Sequence, residues 1–325
     1  ITMFPILAAI SSVFTGIIHE LFHPNWPPLA IHTVALSICG LILLAGRFKL
    51  LDNLIRGIML LLTLTTLVAA FAALTQLPLL DKAAQAKFSW DIPGLLFLIA
   101  FAGWMPTPVD SSVWQSLWTL EKRASAGVSS WKAVLFDFRL GYGLSTFLAI
   151  VFVFIGAVVV YGTSTQLPAQ AAAFAAGFLN IYVQLLGPWA YTVVAVSIFA
   201  TIFSTLLTVI DGYPRVLQES VRLLRGEENS KKGYYWIAVL VFISGSLLLL
   251  HFQPDNMLQL VDLATSLSFL TAPIIGWWNF SLVKRIDFPE SFQPNRSLLI
   301  LSWCGLIFLT LFSLIYLLSK LGLFA

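Results

Sequence analysis

Residues 98–122 read LIAFAGWMPTPVDSSVWQSLWTLEK, and the two prolines at its centre decide how this chain is built. An apolar half-helix is expected over 92–104. Met105-Pro106-Thr107-Pro108 stops it, and a second half-helix is expected over 109–120. Pro106 and Pro108 bring no amide hydrogens, and each pushes its preceding residue out of the helical region. The carbonyls four residues back, at Ala102 and Trp104, therefore lose their helical donors. With Gly103 before the prolines and Asp110 just after, non-helical backbone is expected around Gly103, Pro106 and Pro108. The alternative is a simple proline kink in a structural helix, although kinks usually involve one proline.

The rest of the chain supplies the setting. Hydrophobic residues make up 59% of the 325 residues, charged residues 10%, and the mean hydropathy is +0.90. A soluble domain carries about 25% charged residues. The polar stretches are all short, so a large water-soluble domain is excluded. Long apolar runs such as 149–161 exclude barrel strands, which alternate. The reading is an integral, multi-pass, all-α membrane protein. Cys39 and Cys304 each sit in an apolar run and read as small buried hydrophobes rather than a disulfide or a metal pair. The opening residues are apolar and lack the basic start of a signal peptide. They read as a cut inside or just before a membrane helix.

A bilayer core needs about 20 apolar residues per helix. Nine spans are expected in one transmembrane domain covering 1–325: 2–19, 28–46, 56–79, 93–119 (broken), 138–162, 182–211, 233–251, 257–283 and 298–319. The basic residues test that division. Arg47, Lys49 and Arg56 follow span two. Lys122, Arg123, Lys132 and Arg139 follow span four. Arg215, Arg222, Arg225, Lys231 and Lys232 follow span six, and Lys284, Arg285 and Arg296 follow span eight. The opposite side holds only Lys82, Lys87 and Lys320. Basic loops face the cytoplasm. The C-terminus is therefore expected outside, in a plasma membrane of bacterial type. Single cysteines placed in 47–56, 121–139, 214–232 or 284–297 should resist an impermeant thiol reagent added to intact cells. Labelling of any one of these loops from outside would overturn this topology.

Irregular backbone at membrane depth is tolerated where it is buried in protein or lines a cavity. Discontinuous helices with freed carbonyls recur at ion and substrate sites of secondary transporters. A carboxylate near mid-membrane, as at Asp110, is costly and reads as functional. It can equally cap the second half-helix. Ser111, Ser112 and Gln115 add polarity to the same segment.

The run Ala102-Gly103-Trp104-Met105-Pro106-Thr107 resembles the sixth helix of the natural resistance-associated macrophage protein (Nramp) family of divalent metal transporters, which carries Ala-x-x-Met-Pro-His there. Ser204-Thr205 looks like the family's helix-eight stretch. Leu267-Ser268-Phe269 to Pro273, followed by Trp278-Asn279, resembles its helix ten. The resemblance implies a leucine-transporter-like bundle of the APC superfamily. It makes Met105 and Ala102 the metal ligands, through thioether and carbonyl, and it places two further helices upstream of Ile1. The implied activity is passage of a divalent transition metal, Mn2+ or Fe2+, into the cytoplasm by alternating access, with the metal as cargo and no resident cofactor. Met105 favours a softer metal, since related magnesium carriers replace it.

The chain also departs from the family. Thr107 and Ser112 stand where the family has histidines. Ser11, Ser12 and Thr15 stand where acidic residues are expected, and span seven has no arginine. Proton coupling is therefore not carried over. Thr107, Ser112, Asp110, Asp262 and Thr265 are the residues expected along the pathway. Asp262 could face the cavity beside Thr265 or cap its helix at the surface.

Asp211 with Gly212 and Pro214 reads as the end of span six, and the basic segment after it as an amphipathic stretch on the membrane surface. His32 reads as a packed histidine bonded to a neighbouring helix. His19, Glu20 and His23 could attract a metal at the outer end of span one, but read as solvated. The alternatives are an Mg2+ or amino-acid transporter of the same fold, or a non-transporting membrane metal sensor. An amino-acid carrier would want helix N-terminal amides to hold a carboxylate. No acid/base or nucleophile cluster recurs across spans, so an enzyme is not expected. Nor is nucleic-acid binding, and the partners reduce to metal and bilayer, in a monomer or weak oligomer.

Overall fold

The computed structural model describes residues 2–46, 48–76, 91–126, 131–161, 168–228, 232–252, 256–285 and 293–321. All regular structure among them is helical: α1 (Met3–Phe22), α2 (Pro28–Leu44), α3 (Phe48–Ala73), α4 (Ile92–Trp104), α5 (Ser111–Ala126), α6 (Trp131–Ile155), α7 (Ala171–Leu186), α8 (Trp189–Leu224), α9 (Lys232–Phe252), α10 (Met257–Arg285) and α11 (Arg296–Lys320). A 3-10 turn at Leu74–Gln76 follows α3, and a π-helical turn at Gly156–Tyr161 follows α6. Seven of these helices are long and apolar enough to cross a membrane. Pro28–Leu44, Ile92–Trp104 and Ala171–Leu186 are apolar but shorter.

The chain forms two compact units, one of residues 1–87 and 146–261, the other of 88–145 and 262–325. In the first, α1 is the central helix, with 61% of its apolar window buried. It packs against α7, α8 and α9. Phe242 of α9 meets Tyr213 and Phe4 edge-on, at centroid distances of 5.5 and 6.1 Å. Tyr182 of α7 is fully buried, and its hydroxyl pairs with Thr66 Oγ1 of α3 at 3.0 Å. A buried phenol needs such a partner.

In the second unit, α11 buries only 6% of its apolar window and exposes Leu301, Ile307 and Leu311. Water would not tolerate such a helix, whereas lipid does, because the helix satisfies its own backbone. Hydroxyls in the first unit follow the same economy: Thr201, Thr205 and Thr208 of α8 each donate to the carbonyl four residues back. The chain is thus an all-α, multi-pass integral membrane protein.

Two expected boundaries differ. The span over 182–211 covers two helices. Gly187 adopts φ 93°, which favours glycine, and Pro188 follows, so α7 ends at Leu186 and α8 starts at Trp189. Nor does Asp211-Gly212-Pro214 end α8, which runs on to Leu224. Pro214 forfeits one helical bond there. Asp211 bridges the site, accepting from Arg215 Nε at 2.7 Å and from the Tyr235 hydroxyl at 2.8 Å. Arg215 and Arg222 therefore lie in the last turns of a helix about 54 Å long, against a hydrocarbon core of about 30 Å.

Candidate transport site

The site residues all lie in the second unit. Asp91 opens α4, its Oδ1 accepting from the Gly94 amide at 2.9 Å. The helix runs to Trp104 and stops because of the prolines. Met105 precedes Pro106 and takes the extended conformation, φ −107° and ψ 126°, that such a position prefers. Its own amide still reaches Phe101 O at 3.1 Å, and the Met105–Pro106 peptide is cis. The next carbonyl, Ala102 O, has no helical donor, because residue 106 is proline.

Residues 105–110 form the non-helical segment, and α5 starts at Ser111. The start of α5 is held by its own chain. Pro108 O accepts from the Ser111 amide at 3.1 Å and from Ser111 Oγ at 2.7 Å. Thr107 Oγ1 pairs with Ser111 Oγ at 3.1 Å. Asp110 immediately precedes α5 and is only 9% exposed. Ala102, Met105, Pro106, Thr107, Pro108 and Ser112 are half-buried.

Gly103 lies in the last turn of α4, not in the non-helical segment. What it provides is close approach: a Cβ there would sit 2.8 Å from the carbonyl carbon of Thr265 and closer still to its oxygen. The end of α4 thus rests on the backbone of α10. Two polar contacts pin the break to α10 from either side. Trp104 Nε1 donates to Ser268 Oγ at 3.1 Å, and Asn279 Nδ2 donates to Ser112 Oγ at 3.1 Å. The sequence reading had no means of pairing these residues. It did single out Ser268 and Asn279, as parts of the helix-ten resemblance. Thr265 is buried, its hydroxyl donating to Asp262 O at 3.0 Å. Asp262 itself is exposed.

The end of α4 and the non-helical stretch after it therefore offer a carbonyl, a thioether, a hydroxyl and a buried carboxylate within nine residues. Among the described residues no group of three or more His, Cys, Asp or Glu side chains comes together to hold a metal.

The histidines of the first unit have separate roles. His32 Nδ1 lies 2.8 Å from Ser11 Oγ and 2.9 Å from Thr15 Oγ1, in the core. His23 ends α1 in the left-handed region, its amide donating to His19 O. Glu20 accepts from the Tyr191 hydroxyl at 3.0 Å.

No family model matches the chain. It is 30% identical over 318 residues to the uncharacterized protein PM0681 of Pasteurella multocida (strain Pm70), an alignment covering 97% of this chain and 72% of that protein. The chain belongs to the same family as PM0681.

Proposed function

We propose that the chain is a secondary transporter that carries a divalent transition metal, Mn2+ or Fe2+, into the cytoplasm by alternating access, on a leucine-transporter-like bundle of the Nramp kind. The observation that carries this reading is the interrupted helix α4–α5. It sets the Ala102 carbonyl, deprived of its helical donor by Pro106, the Met105 thioether and the buried Asp110 within nine residues of each other, in a protein otherwise filled with apolar helices. A carbonyl, a thioether and one carboxylate suit a borderline-soft cation better than a hard one. They give little purchase to an amino-acid zwitterion. The close seat of Gly103 on α10, with the Trp104 and Ser112 contacts, holds the break against α10.

Reconstituted into liposomes, the full-length protein should take up Mn2+ saturably, with amino acids failing to compete. Uptake should change little when a pH gradient is imposed, because Thr107 and Ser112 replace the histidines that the resembled family has there. Amino-acid uptake without Mn2+ uptake would overturn the metal reading. Proton flux matched one-to-one to Mn2+ would overturn the expectation of weak coupling.

A further inference from the structure

A second polar place lies in the first unit, on residues the interrupted helix does not use. A cavity of about 360 Å3 has Ser12, Thr15 and His19 of α1 and His32 of α2 on its wall, together with Gln170 and Ala171 at the start of α7. Its size is at the lower end of the range for small-molecule pockets.

Gly16 makes this arrangement possible. A Cβ there would lie 2.9 Å from Ala171 Cβ and closer to the Ala171 carbonyl, so α7 begins hard against α1. Gln170 has the extended backbone of an N-cap, φ −78° and ψ 136°, but its side chain makes no cap bond. The first-turn amides of a 16-residue helix are left without a capping side chain at the cavity wall. A helix start carries about half a positive charge and is a ready anion site.

A side chain on the wall points independently to a ligand. Ser12 is 5% exposed and lines the cavity, yet its hydroxyl bonds to no other described residue. His19 Nε2 is closed off from solvent and also has no partner among the described residues. Its neighbours Ser11 and Thr15, by contrast, are both bonded to His32. Buried polar groups are normally satisfied, so the Ser12 hydroxyl, unbonded on the cavity wall, calls for an occupant.

The charge sense selects the class of occupant. The wall offers a helix start, hydroxyls and imidazoles, and among the described residues no carboxylate lines it. Glu20, next to His19, is engaged by Tyr191. A divalent cation would meet the positive end of α7 with nothing to neutralise it. A halide would meet the helix start but leave the apolar wall at Pro28, Ala172 and Met257 without a partner. We propose that this cavity binds a small organic monocarboxylate, its carboxylate at the start of α7, with the Ser12 hydroxyl donating to it.

The test uses the purified full chain in detergent, with acetate as probe and acetamide as its uncharged counterpart, read as the rise in unfolding temperature against concentration. Acetate should stabilise saturably and acetamide should not. Gln170→Asp supplies the missing cap from the protein itself. It should leave the fold intact and weaken acetate at least about tenfold, since a capping carboxylate takes the ligand's place. Ser12→Ala should weaken it as well. Met105→Ala should leave acetate binding unchanged, so this inference and the metal reading fail separately. Absence of saturable acetate binding would overturn the proposal. So would equal affinity in wild type, Gln170→Asp and Ser12→Ala, or Mn2+ binding that His19→Ala removes while acetate has no effect.

Discussion

Replacing Gly103 by valine should lower the unfolding temperature of the protein sharply and abolish the proposed Mn2+ uptake. The added Cβ would lie 2.8 Å from the Thr265 carbonyl carbon and closer to its oxygen, and both are backbone atoms of α10 that no rotamer change can move. Something larger must give. If α4 withdraws, it loses the 3.1 Å bond from Trp104 to Ser268. If α10 bends, its own ladder is strained at a buried residue. Overpacking of this kind costs about 1–3 kcal/mol, sometimes more. The transport loss should exceed what that figure suggests, because the displaced turn carries Ala102 and leads into Met105. Alanine should show a milder form of the same defect. Gly141→Ala is the control, since a Cβ at that position of α6 meets nothing within 4 Å. It should be neutral or slightly stabilising, as alanine is the better helix former. A Gly103→Val protein that melts and transports like wild type would show that α4 does not rest on α10 as described.

The interruption at residues 105–110 was legible because its cause is local: two amide donors are missing, and no tertiary contact can restore them. The membrane setting was legible for a similar reason, since apolar length and scarce charge leave lipid as the only suitable solvent. The boundary between α7 and α8 was harder. Gly187-Pro188 is a visible stop signal, but the residues on both sides are apolar, and hydropathy alone runs them together. Asp211-Gly212-Pro214 misled in the opposite direction. It carries every mark of a helix end, yet Arg215 and Tyr235 hold Asp211 and the helix continues. Which residues meet across the fold was beyond reach. Trp104 and Ser268 are separated by 164 positions, and Ser112 and Asn279 by 167. Polarity identifies such groups as needing partners without saying which. Asp262 and Thr265 show the limit within one helix: they are three residues apart, but only Thr265 is buried.

The second large effect concerns Met105. Mg2+ and Ca2+ are hard cations that prefer oxygen, whereas a thioether attracts softer metals. Ala102 O, the Thr107 hydroxyl and Asp110 are all oxygen donors, and a site built from them alone would have little basis for refusing Ca2+. The Met105 sulfur is the element that differs. Met105→Leu keeps much of the volume beside Pro106 and removes the sulfur, while Met105→Ala removes both. A residue that merely fills space would be restored by leucine. A ligand would not be.

The central claim is that divalent metal passes the interruption in α4–α5 with Met105 selecting it. The most direct measurement is Mn2+ uptake by the full-length protein in liposomes against rising Ca2+, for wild type, Met105→Leu and Met105→Ala. Both variants should keep some Mn2+ flux and become sensitive to Ca2+ at concentrations at least about tenfold lower than wild type, a difference of roughly 1.4 kcal/mol in discrimination. Resistance to Ca2+ in both variants equal to that of wild type would contradict the claim.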